Sequence, residues 1–247
     1  MSTPRFHVPG AAPGDIELPE DARNHATRVL RLDVGDEIRV FDAGAEFKAT
    51  LAAITKRGVT IEVGEAIAAA PERAVALHLI ISPLKGDLTE LVIQKATELG
   101  VARISPVVFE RTDTVARRDP SEGRLTRWHR VAVSAAEQSG RAVVPDLDAV
   151  QPVEALLATL GTVAEGETRI VAAEPSLGLA SVNASAATPG AGARVVRVAI
   201  GPAGGFGATD LEALARAGFE AERFALHTLR AETASIAALA ILGERYA

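Results

Sequence analysis

Two stretches near the C-terminal end of this 247-residue chain combine glycines and charged side chains in patterns that suit ligand chemistry. The first is AIGPAGGFGATDLEAL (199–214), where an apolar run stops at Gly201 and Gly204, Gly205 and Gly207 follow. Glycine lets a backbone turn sharply or approach a ligand closely. The predicted order is strand, glycine turn, helix, with Thr209 as the helix cap and Glu212 completing a capping box. Ligands of open α/β sheets lie beyond the carboxyl ends of strands. The stretch holds no lysine and no Gly-x-x-x-x-Gly-Lys-Ser/Thr pattern, and Pro202 interrupts a dinucleotide fingerprint. Close backbone contact without a built-in cation suits an adenosine or an adenosyl sulfonium better than a triphosphate. A plain tight turn is the alternative.

The second stretch is FALHTLRAETASIAALAIL (224–242), read as a strand, a sharp turn at HTLRAET and an Ala-rich helix from about Ala231. Arg230, Glu232 and Thr233 crowd the turn. An acid at a helix start is favoured by the helix dipole, whereas an arginine there is not explained by capping. His227 lies on the same turn; His7, His78 and His129 show no metal-ligand spacing, and structural roles are expected for His78 and His129.

The elements around these stretches fall into two patterns. Residues 36–65 read as three short strands, DEIRVFD, FKATLAAIT and VTIEVGE, separated by AGAE and KRG turns, which predicts a small barrel. AIAAAPERA then reads as a linker. Beyond it strands alternate with helices: VALHLIIS, ARISPVVF, TRIVAAEP and RVVRVAI as strands, and helices at 87–99, with Leu88, Leu91, Val92, Ala96 and Leu99 as its apolar stripe, and at 125–139. That alternation predicts an α/β domain with a mostly parallel sheet. The second helix carries Leu125, Trp128, Val131, Ala132 and Ala135 on one face. Arg130, Ser134, Glu137, Gln138 and Arg141 lie on the opposite face, an ordinary solvated surface or an RNA or dimer contact. Glu90, Gln94, Thr97 and Glu98 form a similar polar face on the first helix. SLGLASVNASAATPGAGA reads as a small-residue loop.

Bulk composition narrows the classes. The net charge of −6 argues against a non-specific polyanion binder, yet residues 103–130 carry seven arginines against four acids. With no cysteine, disulfides and thiolate metal sites are excluded. No apolar run approaches the roughly 20 residues that span a bilayer, and the N-terminus lacks a signal peptide's apolar stretch, so a cytoplasmic protein is expected.

Five blocks in the right order resemble the RsmE family of SPOUT methyltransferases. They are PRFHV with HATRVLRLDVGDEIRVFD, LKGDLTELVIQKATELGVARISPV, AAEQSGRAVVP, IGPAGGF and LRAETA. The resemblance implies an α/β fold in which a SPOUT-type knotted parallel-sheet domain (75–247) follows a small PUA-like β-barrel that binds RNA (1–70). It implies methylation of uridine N3 in 16S rRNA of the small subunit, S-adenosyl-L-methionine as cofactor, a homodimer, no membrane association and no metal. IGPAGGF and LRAETA match the family's two cofactor loops. The implied cofactor contacts are Glu174, Ile200, Gly201, Pro202, Gly204, Gly205, Leu226, His227, Leu229, Arg230, Thr233 and Ala234. The candidate RNA contacts are Arg5, His25, Arg28, Arg31, Lys85, Gln94, Arg111 and Arg141; His25, Arg28 and VLR equally fit a short surface helix with no partner. Ala203, Ala225 and His227 depart from the family's usual Glu, Gly and Arg. A non-catalytic RNA-binding relative is therefore the alternative; a nucleotide-binding regulator is disfavoured by the missing lysine.

The chemistry follows from uridine N3, which holds a proton at neutral pH. Its methylation needs a base or a cation that stabilises the forming anion. Arg230 is the expected cation, since it stays charged at physiological pH. Three roles stay open for Glu232: orienting Arg230, contacting the cofactor, or acting as the base.

Overall fold

The computed structural model describes residues 3–114, 122–172 and 194–246. Two units make up the chain, one of residues 1–72 with 133–144 and one of residues 73–132 with 145–247.

The first unit is a mixed five-stranded sheet. Its strands are β1 (Arg5–His7), β2 (Gly14–Glu17), β3 (Glu37–Asp42), β4 (Ala45–Ile54) and β5 (Val59–Ile67), in the order β1-β3-β4-β5-β2. Only β1 and β3 run parallel. Period-2 alternation sends Ile38, Val40, Ala49, Leu51, Val59, Ile61 and Val63 into one core with Phe6 and Leu18. The β3–β4 hairpin turns through Ala43 and Gly44, both at positive φ (47° and 87°), as a two-residue hairpin whose twist matches its strands requires. Helix α1 (Glu20–Asn24) continues into a single π-helical turn at His25–Val29.

The second unit is a parallel sheet of β6 (Ala76–Ile81), β7 (Val101–Val108), β8 (Asp146–Leu147), β9 (Gln151–Pro152), β10 (Glu167–Ala172), β11 (Val195–Ile200) and β12 (Glu220–Glu222). The order is β12-β10-β11-β6-β7-β8, with β9 also on β7. Helices α2 (Leu88–Glu98), α3 (Glu122–Ser139, of which residues from 133 on belong to the first unit), α4 (Val153–Leu160), α5 (Ala208–Arg216) and α6 (Ala231–Arg245) connect or follow these strands. Ile80, Val107, Val171 and Ala199 of the sheet pack on Val153 and Leu156 of α4 and on Leu214 of α5. Helix α6 packs on α2, β6 and β11. Burial on both faces explains strands that read as nearly continuous apolar runs.

Nearer the amino ends of these strands a polar row crosses the sheet. Glu167 of β10 accepts from Arg169 (2.7 Å) and from Arg197 of β11 (2.5 Å). Arg197 meets Nδ1 of His78 on β6, whose Nε2 lies 2.7 Å from Ser105 Oγ on β7, and Ser105 donates to Asp148. Burial, reinforced by the Arg197 charge, pushes the His78 pKa down to about 3, so the ring is neutral. Arg169 also donates to the carbonyls of Leu160, Gly161 and Ala217, holding the C-terminal ends of α4 and α5 together where cations are favoured.

Several expectations shift. The buried stripe of α2 is Thr89, Val92, Ile93, Ala96 and Thr97, while Leu88 and Leu91 are exposed. Thr97 leaves the polar face because its hydroxyl donates to the Ile93 carbonyl inside the core. The strand expected at Phe224 is instead the three residues of β12, and 223–230 form the turn. Helix α5 is capped at Gly207, and the reciprocal carboxylate is Asp210, not Glu212; Thr209 instead donates to Glu110 (2.6 Å). The linker is anchored at its end: Glu72 binds Arg141, and Arg73 donates to the carbonyls of Leu99 and Gly243. Residues 133–144 cluster with the first unit, which no linear boundary anticipates. The small-residue loop, one of the connections whose threading would define a knot, lies outside the described residues. No helix among the described residues is long and apolar enough to cross a membrane.

Candidate functional site

Five parallel strands deliver their carboxyl ends to one cavity of about 530 Å³ in the second unit, β10 through its last residue, Ala172. Pro83, Leu84 and Lys85 come from the exit of β6, and Arg111 and Asp113 from that of β7. The exit of β11 supplies the glycine turn, and the exit of β12 leads into the turn before α6. This is the position at which open α/β sheets bind ligands, and the volume lies within the range of roughly 300–1,000 Å³ for small-molecule sites.

Each glycine of the turn meets a different local demand. A Cβ on Gly201 would lie 3.0 Å from the Phe206 ring, which folds back over it. Gly205 takes φ +73° and donates to the Pro202 carbonyl (2.8 Å), closing the turn. Phe206 stacks edge-on against Phe109 of the β7 exit, with centroids 5.2 Å apart. Arg111 donates to the Gly204 carbonyl (3.2 Å) from outside the turn. The β6 exit joins the same network through Ser82 and Thr112, whose hydroxyls are 2.9 Å apart.

Across the cavity, Arg230 is the N-cap residue of α6 in extended backbone and Glu232 stands in the first helical turn. Both line the cavity, with His227 and Arg223. Among the described residues, none of these four side chains has a hydrogen bond or an ion pair. Lys85 at the opposite rim is paired with Asp113 (3.0 Å). The free groups are thus gathered at the α6 side, where an anion would meet Arg223 and Arg230.

Of the expected cofactor contacts, Ile200, Gly201, Pro202, Gly205, His227, Leu229, Arg230 and Ala234 line the cavity. Gly204, Leu226 and Thr233 are not on its wall; Leu226 is 76% exposed. Leu226 and Thr233 interrupt an otherwise continuous run of lining residues from Arg223 to Ala234. Glu174 lies outside the described residues. Phe206, Arg223, Phe224 and Asp113 were not anticipated, and the signal for them was the strand-end rule applied to every strand of the sheet.

The expected RNA contacts separate in the same way. His25, Arg28 and Arg31 lie around the π-helical turn, with Arg28 and Arg31 exposed, and Gln94 is exposed on α2. Lys85 and Arg111 sit on the cavity rim. Two arginines are spent internally. Arg5 binds Glu46 with two bonds (3.0 and 3.1 Å) and donates to the carbonyls of Ala136, Glu137, Gly140 and Arg141, closing the C-terminal end of α3. Arg141 is buried in a two-pronged pair with Glu72 (3.1 and 2.6 Å). Both are committed to these internal partners rather than to a phosphate, which corrects the expectation for both. On the α3 stripe Arg130 and Gln138 stay exposed, while Glu137 accepts the His7 N–H (3.0 Å).

A parallel sheet with a ligand cavity at its strand exits lies in one chain with a small mixed sheet, and both parts match family models of RNA methyltransferases. Residues 71–243 match the RNA methyltransferase domain, and residues 18–64 match the RNA methyltransferase PUA domain. Ribosomal RNA small subunit methyltransferase E of a Synechocystis species is 32% identical over 222 residues, spanning 88% of this chain and 69% of that protein. The chain belongs to the ribosomal RNA small subunit methyltransferase E family. The enzyme of the same name from Buchnera aphidicola is 28% identical over 131 residues, about half of each chain (53% and 52%). The crystal structure of the Neisseria gonorrhoeae protein bound to S-adenosyl methionine superimposes with a TM-score of 0.84 at 27% identity, covering 99% of this chain and 98% of that one.

Proposed function

We propose that this protein transfers a methyl group from S-adenosyl-L-methionine to N3 of a uridine in 16S rRNA of the small ribosomal subunit. The observation that carries the reading is the cavity itself: a glycine turn on one wall and unpaired Arg230 and Glu232 on the other. The residues present fit the methyl donor. Pro83, Leu84, Ile200, Phe206 and Leu229 give apolar walls for a nucleoside, and Gly201 and Gly205 let the backbone approach it. The unpaired charges of Arg230, Arg223 and Glu232 suit its amino-acid end and the reacting base.

When bound, the donor supplies an electrophilic methyl group on a sulfonium. The chain must bring the base in line and lower the cost of removing its N3 proton. Arg230 stabilises the negative charge that develops on the uracil ring as that proton leaves. For Glu232 three roles fit the reading: accepting the proton, orienting Arg230 or contacting the donor. Lys85 and Arg111 at the rim, and His25, Arg28 and Arg31 in the first unit, hold RNA phosphates, which fix position rather than sequence. The division into an RNA-binding part (1–70) and a methyl-transferring part (75–247), a knotted chain and a cytoplasmic location complete the proposal. So does a homodimer, which exposed Leu88, Leu91 and Ile241 on α2 and α6 support.

Small-subunit particles from a strain lacking this protein, incubated with it and radiolabelled methyl donor, test the reading. The label should map to a single uridine, as the N3-methyl derivative; unlabelled RNA with bound donor would refute turnover. Ala203, which leaves the glycine turn without an acid, favours a second reading as a non-catalytic RNA binder. Calorimetric titration without donor binding at millimolar concentration would establish that reading instead.

A further inference from the structure

Asp210 is a carboxylate only 3% exposed at the third position of α5, and it faces two loops at once. One oxygen accepts the Gly207 N–H (2.9 Å), which is ordinary helix capping. Both oxygens also accept the N–H of Glu110 (3.1 Å each), a hundred residues away at the exit of β7. The glycine turn and the β7 exit are thereby fixed to one another. Those two segments form adjoining parts of the cavity wall: Pro202, Ala203 and Gly205 on one, Arg111 and Asp113 on the other.

The packing on either side of Asp210 has the same effect. Thr209 donates to Glu110 (2.6 Å), Arg111 to the Gly204 carbonyl (3.2 Å), and Phe109 stacks on Phe206. Gly207 permits the approach. A Cβ there would stand 2.0 Å from Glu110 Oε2 and 2.9 Å from Glu110 Cβ. Rotating the glutamate would relieve the first overlap and not the second, so a side chain at 207 would push the β7 exit away from the turn.

We propose that Asp210 is a positioning residue for methyl-donor binding: it sets the spacing between the glycine turn and the β7 exit, and through it the width of the cavity. The proposal rests on the functional reading above. Asp210 does not line the cavity, so its influence passes entirely through the loops it joins.

The test compares wild type with Asp210→Ala, Asp210→Asn and Gly207→Ala. Affinity for S-adenosylhomocysteine is measured by calorimetry, steady-state methylation on small-subunit particles, and folding by thermal unfolding. Asp210→Ala should raise the methyl-donor KM and the S-adenosylhomocysteine Kd about tenfold or more, the loss of a hydrogen bond to a charged group, with kcat changed less than about threefold. Asp210→Asn keeps an acceptor oxygen and should recover part of the affinity. Gly207→Ala separates the same two loops without removing a charge and should give the same rise in KM. Folded Asp210→Ala or Gly207→Ala with wild-type Kd and KM overturns the proposal, as does a fall in kcat at constant KM. If Asp210→Ala does not fold, Gly207→Ala decides. A wild-type protein that binds no S-adenosylhomocysteine and transfers no methyl group overturns the functional reading first, whereas normal wild-type activity with indifferent variants overturns the positioning role alone.

Discussion

Lowering the pH from 7 to 5 should weaken the second unit through one side chain. His78 is held neutral in the folded protein by burial and by Arg197, with its pKa pushed down from 6.5 to about 3. In the unfolded chain the same imidazole takes up a proton near its ordinary pKa. The folded pKa is the lower of the two, so the unfolded state binds more protons and stability falls as pH falls, starting near 6.5 and continuing toward 3. Between pH 7 and pH 5 this linkage amounts to about 2 kcal/mol, since each step of one in pH costs close to 1.4 kcal/mol once the unfolded imidazole is mostly protonated. Urea unfolding followed by Trp128, the sole tryptophan and buried on α3, reads the unit that contains His78. In His78→Gln the amide can face Arg197 and Ser105 without titrating, and the other four histidines remain as an internal control. Wild type should lose about 2 kcal/mol between the two pH values, and the variant much less. Equal slopes would refute the reasoning.

Three other perturbations give distinct readouts. Arg230→Ala should raise the methyl-transfer barrier by about 2–4 kcal/mol, as removal of one electrostatic stabiliser does, and single-turnover rates on small-subunit particles measure it; a wild-type rate would eliminate the assigned role. Arg5→Ala should lower stability by about 3 kcal/mol, because buried Glu46 would keep only its longer pair with Arg39 (3.6 Å) and the carbonyls at the end of α3 would lose their donor, and thermal melting reads the loss. Arg28→Ala should leave melting unchanged and reduce the salt dependence of RNA binding by about one unit of slope, the signature of a single phosphate contact.

Much of the fold and the site could be read from residues close together in sequence. The alternation of β3 to β5, the apolar runs of β6, β7, β10 and β11, and the glycine turn are local signals with local causes. The Ala231 start of α6 was visible for the same reason. What escaped was settled by distant partners. Arg5 and Arg141 carry the charge expected of phosphate contacts, yet Glu46 and Glu72 claim them, and nothing near either arginine in sequence announces that pairing. The α5 cap moved to Gly207 because Asp210 serves a loop a hundred residues upstream as well as its own helix. The stripe of α2 rotated toward Thr89 and Thr97, whose hydroxyls satisfy themselves on nearby backbone and so bury without penalty. The strand misplaced at Phe224 reflects a segment whose three paired residues are too few to leave a periodicity.

The strand order has a consequence for how the chain is made. β6 and β11 lie side by side, residue 76 against residue 195, and everything between them is synthesised in the interval. At roughly 5–20 residues per second on a ribosome, about 6–24 seconds pass after β6 emerges before its neighbour exists. Through that interval one long edge of an apolar strand stays unpaired. A nascent copy of this rRNA methyltransferase thus depends on whatever shields that edge until β11 is out.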